Sequence, residues 1–264
     1  MIPLGDHNPT RTRAYVNTLL LVANVAAFLW EYSLISSGAV WLVPGYGMVP
    51  TRLVADPLGE GFTVLTSMFL HGSWPHLLGN MLFLYIFGDN VEDAMGHFRY
   101  AAFYTVSGAT AATAQLLVDP ASTVPMVGAS GAIAGVLGAY LVLYPRAPVT
   151  VISPIITFMP LALFFGFPLL YAFPAWLVVG EWFVGNLIAG FSSLGMGYGT
   201  SFAHGGVAFF AHIGGFLAGL ILVRPALIGR QRVQASRWVG WRPPPKQRPP
   251  WGDSPRRSGR DFWG

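Results

Sequence analysis

MVGASGAIAGVLGAYLVLY occupies residues 126–144 and contains no charged side chain. At about 1.5 Å per helical residue, a run of this length reaches across roughly 30 Å of hydrocarbon. Five further runs of similar character lie to either side, at about Ala14–Ile35, Trp74–Asp93, Tyr100–Val118, Ala172–Gly190 and Gly205–Val223. Most must be helices, because an open strand in lipid leaves backbone groups unpaired. The whole chain has 264 residues, 53% hydrophobic and 10% charged. A soluble domain carries about 25% charged residues, so the composition points to an integral membrane protein.

Charge placement sets the orientation. With six spans and a cytoplasmic N-terminus, the cytoplasmic side holds Arg11, Arg13, Arg99, Arg146 and the basic tail, and Arg52 alone of the 15 Lys and Arg residues lies outside. The apolar segment Val149–Leu170 is broken by Pro154, Pro160 and Pro168. As a seventh span it would carry the tail outside and reverse this bias. The expectation is therefore an all-α polytopic bundle of six transmembrane helices with both termini cytoplasmic. It divides into an N-terminal segment 1–13, a membrane domain 14–223 with an external interfacial loop 37–73, and a Pro-rich basic tail 224–264. The tail has no apolar periodicity and reads as disordered. The first run is too long for a cleaved signal and reads as a retained span. The charge is too unevenly spread for a nucleic-acid partner; the implied partner is the bilayer. With no cysteine, disulfide and thiolate chemistry are excluded.

Polar groups inside a span each require a reason. Gly128-Ala129-Ser130-Gly131 stands near the outer start of span four. Alone this motif is weak, since small residues at helix contacts produce the same letters. His212 stands in Ala211-His212-Ile213-Gly214-Gly215 in span six, which also starts from outside. Counting from the span starts, both side chains sit on the order of 10 Å below the outer surface, the arrangement a hydroxyl and its base require. His76 and Asn80 are four residues apart on span two and share a helix face. Imidazole and amide donors aimed at one point suit an oxyanion, and the glycines beside Ser130 let backbone approach it closely, where free N–H groups near a helix start face the same charge. His71 is expected to pin the external loop. Gly215 and Gly219 form G-x-x-x-G, which suits close packing on the glycines of span four. No carboxylate stands as an evident third member of a triad. A zinc protease needs H-E-x-x-H, and no such motif occurs. The intramembrane aspartates Asp89 and Asp93 share one span, which does not suit an aspartyl site. Glu181 has no evident partner in span five, and Asn17, Asn24 and Gln115 are expected to make interhelical hydrogen bonds.

These residues together resemble the rhomboid family of intramembrane serine proteases. The likeness rests on His71-Gly72-Ser73-Trp74-Pro75-His76-Leu77-Leu78-Gly79-Asn80, on Gly128-Ala129-Ser130-Gly131 and on Ala211-His212-Ile213-Gly214-Gly215, in that order. It implies a six-helix rhomboid-like fold with a hydrated site open to the outside. It further implies Ser130 as nucleophile, His212 as base, His76, Asn80 and Gly128 about the oxyanion, and no cofactor or metal. The implied partners are single-span membrane protein substrates, which would pass between spans two and five. The implied location is a bacterial inner (plasma) membrane. The chain departs from the family in two places. Phe62-Thr63 stands where members often have Trp-Arg, and Ala134 stands where some have a tyrosine stacked on the histidine, so His212 must be oriented by another group. Phe191–His204, rich in glycine, is expected to act as a lid, and Trp176, Trp182 and Phe183 read either as a lateral gate or as lipid-facing aromatics. The competing reading is a catalytically inactive rhomboid-like protein that binds membrane clients.

Overall fold

The computed structural model describes residues 1–38, 41–152, 170–195 and 208–229. Six long helices occupy most of them: α1 (Tyr15–Ser36), α2 (Trp74–Met95), α3 (His97–Val118), α4 (Ser130–Leu143), α5 (Ala175–Gly195) and α6 (Phe209–Ala226). Each corresponds to one apolar run of the sequence. By length and composition α1, the Ala175–Ser192 part of α5, and α6 are able to cross a membrane, and α4 is a shorter apolar helix.

The helix starts follow from identifiable caps. At α1 no side chain of its own caps the first turn. The Glu92 carboxylate of α2 instead accepts from the backbone N–H groups of Val16 and Asn17 at 2.9 and 2.7 Å. At α2 the Ser73 hydroxyl accepts from the His76 N–H, and Pro75 occupies the first turn where no amide bond is lost. Gly96, with φ +81°, turns the chain from α2 directly into α3.

Span four starts later than its apolar run suggests: residues 126–129 precede the helix, and Ser130 is its first residue. Two contacts with the external loop hold this lead-in segment. Met48 and Met126 exchange backbone hydrogen bonds of 3.1 and 2.8 Å, and Gly128 N–H donates to Ser67 O at 2.8 Å. Gly128 has φ +121°, a conformation side chains rarely adopt, so the helix cannot begin before it. Helix α6 starts at Phe209, which makes His212 a first-turn residue, and it runs on to Ala226, taking in Arg224; residues 205–207 of the sixth run lie outside the described residues.

Packing of α6 against α4 is backbone on backbone. A Cβ on Gly215 would sit 2.0 Å from Gly131 O, and one on Gly219 2.0 Å from Gly135 O. Small residues alone permit this approach. Gly214 faces α3, where a Cβ would lie 2.2 Å from that of Ala114. Thus α6 is wedged between α3 and α4, and the core is completed by Phe87, Tyr100, Tyr104, Leu137 and Tyr140.

Among the described residues three strands supplement the helices. β1 (Ile2–Asp6), β2 (Pro148–Ile152) and β3 (Leu170–Pro174) form an antiparallel sheet in that order. Thus the described ends of Val149–Leu170, residues 149–152 and 170, are strand; residues 153–169 lie outside the described residues. The sheet sits at the end of the bundle remote from Ser130. Asp6 accepts from Tyr140 Oη and from Asn90 Nδ2, and burial pushes its carboxyl up to about 7. Asp93 accepts from Thr12 and Arg11, binding the segment before α1 to α2.

The structure accounts for several polar residues. Glu181 lies 3.0 Å from the Met1 amino group. Asn17 is interhelical: it donates to Leu84 O and accepts from Tyr100 Oη. Asn24 donates to Leu20 O of its own helix and also lies against Tyr104 of α3. In the external loop, Arg52 donates to Glu60 and to Pro44 O, so one arginine clamps the loop from a position other than Phe62-Thr63.

Candidate active site

Ser130 Oγ and His212 Nε2 lie 2.8 Å apart. They meet because α4 and α6 both start at this level and because Gly131 and Gly215 let their backbones touch. Ser130 is the first residue of a helix with no side-chain cap, so the first-turn amides remain available to a ligand.

The other nitrogen of His212 is also held. Nδ1 lies 2.6 Å from Asn186 Oδ1 of α5. The Asn186 amide is itself oriented, since Nδ2 donates to Trp182 O at 2.9 Å. With the nitrogen turned to Trp182, the oxygen faces the imidazole, so Nδ1 carries the proton and Nε2 presents a lone pair to the Ser130 hydroxyl. The Trp182 ring lies 5.8 Å from the imidazole, tilted by 42°. Sequence reading passed over Asn186. Its signal was present, as an amide in the middle of an apolar run.

Asn80 is buried, and its Nδ2 lies 2.9 Å from His71 Nε2. His71 Nδ1 lies 3.2 Å from Phe69 O, an acceptor only, so the ring proton is on Nδ1 and Nε2 accepts from Asn80. Burial, with His76 beside it, brings His71 down to about 4, which keeps it neutral. Its backbone N–H donates to Glu31 Oε2 of α1 at 2.9 Å. His71 therefore pins the loop, as expected, and in addition orients Asn80, whose second amide hydrogen is left for the cavity. His76 stacks edgewise on His71 with ring centroids 5.1 Å apart. A Cβ on Gly128 would lie 2.7 Å from the His76 ring. Since the Gly128 N–H is committed to Ser67 O, Gly128 supplies a turn and clearance for His76 instead of a donor.

Ser130, His212, His76, Asn80 and Gly128 all line one cavity of about 860 Å³, which Trp182 also borders. Of the aromatics expected on the gate, Trp182 meets Phe83 of α2 at 6.3 Å, Phe183 stacks on Phe216 at 4.2 Å, and Trp176 is exposed. In the expected lid, Phe191–Gly195 closes α5, and 196–204 lies outside the described residues. Among the described residues no cluster of His, Cys, Asp and Glu is suited to a metal ion.

The chain is similar to known proteins. The family model described as "Rhomboid domain" matches residues 58–228. The chain is 35% identical over 133 residues to rhomboid protease GluP of Bacillus subtilis, covering 50% of this chain and 24% of that protein. It is 32% identical over 136 residues to putative rhomboid protease YdcA of the same organism, covering 50% of this chain and 64% of that one. It is 37% identical over 95 residues to RHOMBOID-like protein 5 of Arabidopsis thaliana, covering 36% and 30%. In each case the match spans less than two thirds of the relative's length. With a family match over most of its length and a bundle of apolar helices to carry it, the chain is a polytopic helical membrane protein that belongs to the rhomboid family.

Proposed function

We propose that this chain is an intramembrane serine endopeptidase that hydrolyses peptide bonds in or near the transmembrane segments of other membrane proteins. The observation that carries this reading is the 2.8 Å contact between Ser130 Oγ and His212 Nε2 inside a cavity that also holds Asn80 and His76. Protease-named relatives in the same family support it.

His212 takes the Ser130 proton as Oγ attacks the scissile carbonyl, then gives it to the leaving amine. Water, deprotonated by the same imidazole, releases the acyl group from Ser130. Negative charge on the carbonyl oxygen is met by the free amide hydrogen of Asn80, the His76 ring and the uncapped N–H groups at the start of α4. A substrate helix must unwind locally to present its carbonyl, and residues of low helix propensity make unwinding less costly. The substrate passes between α2 and α5, where Phe83 and Trp182 meet. The setting is a plasma membrane with both termini and the basic tail on the cytoplasmic side.

The test is cleavage of a reporter membrane substrate by the purified protein in liposomes. Ser130→Ala and His212→Ala are each expected to lower the rate at least about a thousandfold. Cleavage at the unaltered rate by either variant refutes the assignment of that residue.

A further inference from the structure

Resting on the protease reading above, the geometry points to Asn186 as the positioning residue that holds the His212 imidazole in its reactive tautomer and orientation, completing a Ser130–His212–Asn186 relay across α4, α6 and α5. A histidine that serves as base must present Nε2 unprotonated to the hydroxyl, and something must hold Nδ1–H on the opposite side. Among the described residues, Asn186 Oδ1 is the polar atom placed to do so, at 2.6 Å from Nδ1.

Other candidates for this task fail on chemistry. Ala134, four residues after Ser130, has no polar group and no ring. Trp182 packs beside the imidazole at 5.8 Å but is tilted by 42°, and its indole offers no acceptor to Nδ1–H. His76, the other titratable group lining the cavity, belongs to α2 and lies against Gly128 and His71. Glu181 on α5 is engaged with the Met1 amino group.

The Asn186 amide cannot turn over without loss. Its Nδ2 is committed to Trp182 O at 2.9 Å within α5, so a flip would set a donor against Nδ1–H and abandon that bond. Asn186 thus acts as an acceptor fixed in direction. When the imidazole takes the Ser130 proton, the positive charge is shared with Nδ1–H, and the bond to Oδ1 strengthens as a charge-assisted one. The gain is realised after proton transfer begins, so it lowers the barrier more than it tightens substrate binding.

The placement has a second consequence. Asn186 and Trp182 belong to α5, whereas Ser130 and His212 belong to α4 and α6. Displacing α5 from α6 by about 1 Å lengthens the 2.6 Å bond past the usual range. The base is therefore fully oriented only while α5 is seated on α6.

The experiment uses the full chain in liposomes, with Asn186→Ala, Asn186→Leu and Asn186→Asp beside Ser130→Ala. Two readouts are taken: reporter cleavage as separate kcat and KM, and the rate at which a fluorophosphonate labels Ser130. The second needs the base but no substrate helix. The expected result is a fall of about ten- to hundredfold in kcat and in labelling for the Ala and Leu variants, with KM within about twofold. Asn186→Asp keeps an oxygen acceptor toward Nδ1–H and is expected to restore labelling to within a few fold of the unaltered chain. Unaltered labelling in Asn186→Ala overturns the proposal. So does a folded Asn186→Asp, shown by an unchanged Tm, that labels no faster than Asn186→Leu. Cleavage by Ser130→Ala would instead sink the protease reading, which separates the two failures.

Discussion

Replacing Gly215 by alanine tests whether the site depends on bare backbone contact between α4 and α6. Gly215 lies three residues after His212 and faces Gly131, the neighbour of Ser130. The added Cβ would meet Gly131 O at 2.0 Å. Carbon and carbonyl oxygen are comfortable no closer than about 3.3 Å, so the helices must part there by roughly 1.3 Å. That displacement, applied next to Ser130 and His212, stretches their 2.8 Å contact beyond about 3.5 Å, where the hydrogen bond is lost. A 1 Å misplacement of reacting groups costs about a hundredfold in rate, and overpacking costs about 1–3 kcal/mol in stability. Gly215→Ala is therefore expected to lower kcat about a hundredfold with only a few degrees lost in Tm. Reporter cleavage and thermal unfolding in the same detergent measure both. Gly180→Ala on α5, where a Cβ meets nothing within 4 Å, serves as the silent control. Wild-type cleavage by Gly215→Ala would refute the argument that these backbones set the distance between hydroxyl and base.

Asn80→Ala removes a donor from the cavity and leaves His71 Nε2 without its partner. It is expected to lower kcat about a hundredfold while the protein remains folded by circular dichroism; an unchanged rate would remove Asn80 from oxyanion binding. Asp6 supplies a pH dependence at the opposite end of the bundle. Its carboxyl is raised to about 7 by burial, so the docked strand binds a proton that the undocked strand releases. That contribution is complete below the ordinary carboxylate range and is lost as pH rises through about 7. Amide exchange in β1, corrected for intrinsic rates, is expected to accelerate between about pH 5 and pH 8.5, and Asp6→Asn is expected to flatten the dependence. Equal pH dependence in both chains would exclude Asp6 as its source.

Six apolar runs in the sequence match six long helices among the described residues, because hydropathy and length are local properties of each segment. Ser130, His212, His76 and Asn80 stood out for a related reason: a polar group in a span is conspicuous against apolar neighbours. What escaped sequence reading is non-local. The strands β1 and β2 pair residues 2–6 with 148–152, a partnership that neither short segment announces. The late start of α4 depends on the left-handed Gly128 and on its bond to Ser67 O, while hydropathy runs unbroken through it. Asn186 carried the same signal as Asn80 but stood outside any recognisable motif. Glu31 lies in the first apolar run, and its tie to the His71 amide is visible only once the chain is folded.

Two of the buried acids of the first helix pair, Glu31 and Glu92, tie each helix to its neighbour. Glu92 on α2 closes the first turn of α1, and Glu31 on α1 accepts the His71 amide just ahead of α2. Each carboxylate finds its partner only when the neighbouring segment has arrived. A solitary α1 leaving the insertion machinery would carry open amides at one end and an unmatched acid near the other. The α1–α2 hairpin is thereby cross-stitched at both ends, and neither helix has its polar groups fully matched without the other.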